Sequence, residues 1–256
     1  MIIYEINYKL SYRRVSMKNE KIYLNNTNEI KETPKIIMQS IWDKKLIPQK
    51  VYDAIEKYCP GYKHIIYDDE ECIKFLEENY GDEIKNKFLS LETGAHKADL
   101  FRYCWLYKMG GVWIDIKMVL LKNIDEIFKD NEKLYSVSSG HGFWATLLLS
   151  AIGSGAIFQG LIVSPPNNPI FPELINRIMI TKNYQLKINY HLMTMHFYEA
   201  LMKMKKDKYH IFTEKCVKEN DKNLADRYGL RCSIYDKDEK IFNTRYPEYP
   251  WKQVQN

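Results

Sequence analysis

Asp115 stands in the run VWIDIKMVLL with Lys117 two positions on, and upstream Asp99 and Arg102 stand three apart in AHKADLFRYCW. The first run is rich in β-branched and aromatic residues and bracketed by turn signals, which predicts a central strand. Alternation along a strand then puts Trp113, Asp115 and Lys117 on one side and Val112, Ile114 and Ile116 on the other. A carboxylate in the middle of such a strand is costly to bury unless it meets a cation, a metal or a ligand. Two readings stay open for Lys117: a group that shares a ligand with Asp115, or a plain ion-pair partner in a site without chemistry. Asp99 and Arg102 likewise read either as a polar pair offered to a ligand or as a helix salt bridge at i, i+3.

The elements that must position these groups follow from the flanking pattern. From Ala95 to Met109, the apolar residues Ala98, Phe101, Trp105 and Met109 recur at helical steps and predict a stripe facing a core. Gly110 and Gly111 stop that helix. Pro34 to Trp42, PKIIMQSIW, predicts a first strand, Pro48 to Tyr58 a helix behind it, and Tyr62 to Tyr67 a second strand. Asp68 then caps a helix with Glu71 at the reciprocal position of a capping box. Strand, helix, strand, helix is the doubly wound pattern, which takes ligands past the carboxyl ends of its strands.

These residues carry a family resemblance. Lys97, Ala98, Asp99, Leu100, Phe101, Arg102 and Tyr103, followed by Leu106, Tyr107, Gly110, Gly111, Val112, Trp113, Ile114 and Asp115, resemble the glycosyltransferases with a DXD sugar-binding motif. That group includes the initiating α-1,6-mannosyltransferases, α-1,4-galactosyltransferases and many capsule-building enzymes. Pro34 to Gln39 with Ile41 and Trp42 resembles the first nucleotide-binding strand of the same family. The resemblance covers about residues 33 to 128 and resumes weakly from Phe158 to Ile178. It implies an α/β, GT-A-like nucleotide-diphospho-sugar transferase fold, a Rossmann-like mixed sheet flanked by helices. It also implies transfer of a hexose, with retention, from a UDP- or GDP-sugar to a glycan, glycolipid or protein acceptor.

By the same resemblance Asp115 contacts the sugar and any bound Mn2+ or Mg2+, and Asp99 bonds ribose or sugar hydroxyls. Arg102 orients the donor or meets a phosphate, while Trp42 borders the base with Gln39 beside it; for Trp42 the other reading is plain core. The second acid of the motif is here Lys117, which removes a hard-cation ligand and predicts weak metal dependence with Lys117 touching the diphosphate. The alternative function is a sugar-nucleotide or carbohydrate-binding protein of the same fold that has lost turnover. A nucleotidyltransferase is disfavoured because PKIIMQSIWDKK has no Gly-rich phosphate loop after the strand.

The chain has 256 residues, 45% hydrophobic and 28% charged, enough for one large domain with a small addition. Residues 1–32 read as an N-terminal extension and 33–256 as the transferase domain. A formal net charge of +5 does not argue for nucleic acid and is accounted for by a patch receiving an anionic sugar nucleotide. Five cysteines, odd in number and without a CxxC pair, predict a reducing compartment and a cytoplasmic location, with no zinc ribbon. No secretory signal is visible in MIIYEINYKLSYRRV, and Asn25-Asn26-Thr27 then reads as a turn. Leu134 to Pro172 lacks Asp, Glu, Lys and Arg. Its Gly153-Ser154-Gly155 turn and the absence of flanking cation clusters favour two buried elements over a transmembrane anchor. His141 and Gln159, polar within that stretch, are acceptor-side candidates or satisfied core groups. His191 and His196, five apart on an expected helix over Asn189 to Lys206, lack the spacing of a metal pair. Tyr235 to Trp251 resembles a closing hairpin whose aromatics lid the site or pack.

Overall fold

The computed structural model describes residues 32–139, 155–226 and 229–251. The expectations for the N-terminal extension, for Asn25-Asn26-Thr27, for His141 and for the first half of the apolar run lie outside those residues.

Chain order is β1 (Ile36–Ser40), α1 (Gln49–Tyr58), β2 (Lys63–Tyr67), α2 (Asp69–Tyr80), α3 (Asp82–Ser90), α4 (Gly94–Met109), β3 (Gly111–Ile114), β4 (Val119–Leu120) and α5 (Ile124–Ile127). It continues with β5 (Leu134–Ser138), β6 (Ile157–Ser164), α6 (Ile170–Ile180), α7 (Asn183–Ile188), α8 (Leu192–Leu201), β7 (Tyr209–Lys218), β8 (Leu230–Asp236) and β9 (Glu239–Asn243). The described strands form one mixed sheet in the order β2-β1-β3-β6-β5-β7-β8-β9-β4. β1 lies parallel to both β2 and β3, and β6 runs antiparallel to β3. The expected α/β class with a mixed sheet flanked by helices is what the chain adopts.

Local chemistry explains the starts and stops. Asp68 accepts from the Glu71 N–H while the Glu71 carboxylate accepts from the Asp68 N–H, both at 3.0 Å, the capping box read from sequence. Gly110 has φ +65, and a Cβ there would meet Pro166 at 2.6 Å, so both the backbone angle and the space require glycine. Alternation in β1 and β3 sends Met38 and Trp113 into a core shared with α2, α3, α4, α6 and α8. Ile37, Val112 and Ile114 go into a second core with α1 and α5 on the other face.

Three expectations change. α4 does not face the core along a stripe: Asp99 through Leu106 are all buried, because the helix is packed between the sheet, α3 and α6. Met109, placed on that stripe, is partly exposed. α8 stops at Leu201 instead of running to Lys206, with Lys206–Lys208 forming a 3-10 turn. The third concerns cysteine. Cys216 and Cys232 face each other across the antiparallel β7 and β8 and are joined by a disulfide, while Cys59, Cys72 and Cys104 are buried thiols. The all-thiol reading drawn from scattered spacing therefore fails for one pair, because strand pairing brings together residues that the sequence separates. Alkylation of the denatured, unreduced protein should label three of its five cysteines, as counted by mass spectrometry. Five labelled residues would refute the bond. Among the described residues no helix is long and apolar enough to cross a membrane.

The sheet cannot be flat. β4 is six strand positions from β3, roughly 29 Å at the usual strand spacing. The stretch from Ile114 to Val119 reaches at most about 18 Å fully extended. The sheet must therefore curl, bringing β9 and the segment after it over the carboxyl end of β3. A hydrogen bond from the Tyr246 N–H to the Lys117 carbonyl, 2.6 Å, ties the two regions together.

Candidate functional site

The carboxyl end of β3 is where the polar residues gather. The expected strand through VWIDIKMVLL is cut short: β3 ends at Ile114, and a turn closed by the Met118 N–H on the Asp115 carbonyl, 2.9 Å, follows. Asp115 is thus not mid-strand. Its N–H still donates to the Gly160 carbonyl at 2.7 Å, which anchors the backbone against β6 and leaves the carboxylate at the strand's mouth. One carboxylate oxygen accepts from the Trp113 indole N–H at 2.9 Å and lies 3.6 Å from Arg102. The other is 3.5 Å from the Lys117 ammonium. The Asp115 side chain is 20% exposed. Burial pushes its carboxyl up, but Arg102, Lys117 and the indole N–H outweigh it and hold the group below the usual carboxylate range.

Arg102 is the joint of this cluster. From α4 its Nε donates to the Ala98 carbonyl at 3.1 Å, and Nη1 donates to the Gln159 carbonyl of β6. Nη2 sits 3.6 Å from a carboxylate oxygen of Asp99 and 3.6 Å from one of Asp115. The guanidinium lies 4.7 Å from the centre of the Trp113 ring. The i, i+3 pairing of Asp99 with Arg102 therefore exists, but buried, with one guanidinium shared between two carboxylates.

Burial raises the Asp99 carboxyl from an ordinary value of 3.8 to about 6, with Arg102 and His96 opposing and Asp115 reinforcing the rise. An acid whose folded pKa is raised favours folding most when protonated. Its contribution is present below about pH 4 and is lost as pH rises through about 6. Asp99→Asn should flatten the stability profile between those limits, by on the order of 2 kcal/mol. Denaturant melts across that pH range would show it, and an unchanged slope would count against the buried position.

Asp115, Lys117 and Arg102 line a cleft of about 760 Å³. Gln159 also lines it: its Oε1 accepts from the Tyr103 hydroxyl at 2.5 Å, while its Nε2 is buried with no hydrogen-bond partner. The N-terminal end of α8 adds His191 and Thr194. The opposite wall comes from β8, β9 and the chain after them, including Arg231, Arg245 and Tyr249. The tail aromatics were expected either to lid the site or to pack, and two of them do both. Tyr246, Tyr249 and Trp251 pack together beside Val51 and Ile116, and Tyr246 and Tyr249 also line the cleft. Tyr249 is near enough to Asp115 for that carboxylate to add to the upward push of burial on its hydroxyl. Arg245, Arg231 and β7 carried no signal in the sequence, since nothing in their spacing refers to Asp115.

Gln39 and Trp42 are not among the residues that line this cleft. Gln39 is buried, and its amide oxygen accepts from His64 Nε2 at 2.8 Å. Burial lowers the His64 pKa, which favours the neutral ring. Trp42 follows the carboxyl end of β1 and is 67% exposed, which rules out plain core. His196 is buried with its pKa lowered to about 3, while His191 reaches the cleft.

The donor set does not fit a divalent cation. A hard cation needs several oxygens with carboxylates near neutralising it. Here Asp115 is engaged on both oxygens, and two cationic side chains lie within 3.6 Å of it. Two other acids line the cleft, Glu214 and Asp226, but among the described residues they form no group of three ligands with Asp115. Among the described residues, the cluster of three possible ligands is Glu214, Cys216 and Cys232, and its sulfurs are committed to the disulfide.

Residues 43–134 match the family model for the glycosyltransferase sugar-binding region containing the DXD motif. The chain is similar to inositol phosphoceramide mannosyltransferase 3 of Schizosaccharomyces pombe, 31% identical over 50% of this chain and 35% of that protein. It is similar to the initiation-specific alpha-1,6-mannosyltransferase of Candida albicans, 29% identical over 59% of this chain and 44% of that one. An uncharacterized glycosyltransferase of Acanthamoeba polyphaga mimivirus is 25% identical over 79% of this chain and 75% of its own length. The chain thus spans less than half the length of the two fungal relatives. Among solved structures, the PaToxG glycosyltransferase superposes with a TM-score of 0.47 at 18% identity, over 68% of this chain and 70% of that one. The matched family region holds Asp99, Arg102, Asp115 and Lys117.

Proposed function

We propose, from the premise that residues 43–134 belong to the DXD-containing sugar-binding region of the glycosyltransferases, that the chain transfers a hexose from a UDP- or GDP-sugar to a glycan, glycolipid or protein acceptor. Retention at the anomeric carbon is part of the proposal. The observation that carries it is the Asp115 carboxylate, poised at the mouth of β3 by Trp113, Arg102 and Lys117 and lining the cleft.

Asp115 accepts hydroxyls of the transferred sugar. Lys117, on the same turn, meets the diphosphate, where fixed cations stabilise the negative charge that develops on the leaving group. Arg102 orients the sugar and keeps Asp115 ionised; Asp99 holds Arg102 from behind. This places Asp99 one layer farther from the donor than the family resemblance implies. Trp42 is proposed on the base side, past the end of β1, with Gln39 buried behind it against His64. Because metal coordination finds no adequate set of oxygens at Asp115, the cations of the protein itself take that electrostatic role.

The direct ion pair between Lys117 and Asp115 favours one competing reading, a protein that binds sugar nucleotides without turning them over. A single experiment separates the two. A panel of UDP- and GDP-sugars, headed by GDP-mannose because the relatives are named mannosyltransferases, is incubated with the full chain. Released nucleoside diphosphate and thermal shift are read together. Release identifies the transferase, a shift without release identifies the binding protein, and neither effect with any donor refutes both.

A further inference from the structure

The cleft contains an arginine that the family resemblance does not assign and that no carboxylate of the described residues neutralises. Arg245, just after β9, lines the same cleft as Lys117. The two are held in register by the hydrogen bond from the Tyr246 N–H to the Lys117 carbonyl, 2.6 Å. The other cations around the carboxylate are committed: Arg102 to Asp99 and Asp115, Lys117 to Asp115, and Arg231 to Glu219. Lys222, also lining the cleft, is exposed and solvated.

Arg245 differs from all of these. Its Nη2 donates to the Tyr249 carbonyl, its guanidinium lies 5.9 Å from the Tyr249 ring centre, and its Nε is buried with no hydrogen-bond partner. No carboxylate of the described residues lies within ion-pair distance of it. Withdrawing a guanidinium from water without an acid beside it costs free energy. The planar fork of arginine matches two phosphate oxygens at once, which a lysine cannot do.

We propose that Arg245, together with Lys117, binds the diphosphate of the donor and presents to it the positive charge that a divalent cation held by two carboxylates presents in a complete DXD motif. The proposal rests on the transferase reading and deepens it by naming a residue outside the matched region 43–134. It also gives the curl of the sheet a role, since that curl brings β9 to the Asp115 turn.

The test measures binding of UDP, GDP, UMP and GMP to the full chain in excess chelator, for the wild type, Arg245→Gln and Arg245→Lys. The wild type should bind one diphosphate at least about tenfold more tightly than its monophosphate. Arg245→Gln should erase that margin and leave monophosphate affinity within about twofold, and Arg245→Lys should recover part of it. A margin that survives Arg245→Gln overturns the proposal, and so does an equal loss for monophosphate and diphosphate, which is the signature of a structural role. A wild type that binds no nucleotide overturns the transferase and binding readings as well. If Arg245→Gln does not fold, phenylglyoxal modification of the wild type serves instead, mapped by mass spectrometry. The diphosphate should slow labelling of Arg245 and the monophosphate should not; equal labelling refutes the assignment.

Discussion

Asp115→Asn should lower kcat/KM for sugar transfer by about a hundredfold to a thousandfold, the usual effect of removing one fixed electrostatic contact from a transition state. The substitution is close to isosteric, and the asparagine oxygen can still accept from the Trp113 indole N–H. The loss is therefore electrostatic, and donor binding should weaken as well because Asp115 also meets the sugar in the ground state. Stability should fall by about 2 kcal/mol near neutral pH, since the Arg102 guanidinium, 6% exposed, is left with Asp99 alone. The pH dependence has a definite sign. The folded-state pKa of Asp115 is depressed, so its contribution is present above the ordinary carboxylate value and is lost as pH falls through the lower folded value. The stability deficit of Asp115→Asn should accordingly shrink on acidification below about pH 4, read from denaturant melts at paired pH values. Unaltered transfer by this variant would remove the basis of the functional assignment.

The second large effect concerns metal. Transfer by the wild type should persist in excess chelator, because Lys117 and Arg102 supply local positive charge and the oxygens around Asp115 are too few for a hard cation. Lys117→Asp should reverse this. Exchanging the ammonium for a carboxylate changes the local charge by two units and recreates a pair of acids on one turn. Activity in chelator should drop by at least about a hundredfold and return on addition of manganese. Wild-type activity that vanishes in chelator and is restored by manganese would contradict the role given to Lys117. Lys117→Asp that stays inactive under both conditions would show that the turn does not reproduce a cation site.

Much of this was legible from residue order because the interactions concerned are local. The capping box at Asp68 and Glu71 joins residues three apart, and the stop at Gly110 depends on one backbone angle and a close neighbour. The opposite orientation of Trp113 and Val112 follows from the strand itself. The gathering of Asp99, Arg102, Asp115 and Lys117 was likewise implied by a helix, a two-glycine turn and a strand in immediate succession.

Other readings failed where a long-range contact outweighs local preference. VWIDIKMVLL has strand composition throughout. The chain nevertheless turns at Asp115, and Val119 and Leu120 pair instead with β9 at the far edge of the curled sheet. Met109 falls on the apolar stripe by spacing, yet α4 is covered on several sides and that end of it is partly exposed. Cys216 and Cys232 carry no pairing signal in their spacing, and only the register of β7 against β8 sets them opposite.

By itself the sequence determined the chemistry available: one acid and one lysine two positions apart in a strand-forming run, with an arginine one helix upstream. The turn that carries them came only with the tertiary structure. Only the tertiary structure decided that Arg102 is shared between two carboxylates, and that Arg245 and Tyr249 close the other side of the cleft. The reason is physical. Periodicity and capping act within a few residues, whereas burial of a charge and curvature of a sheet are set by segments that meet only after the whole chain has packed.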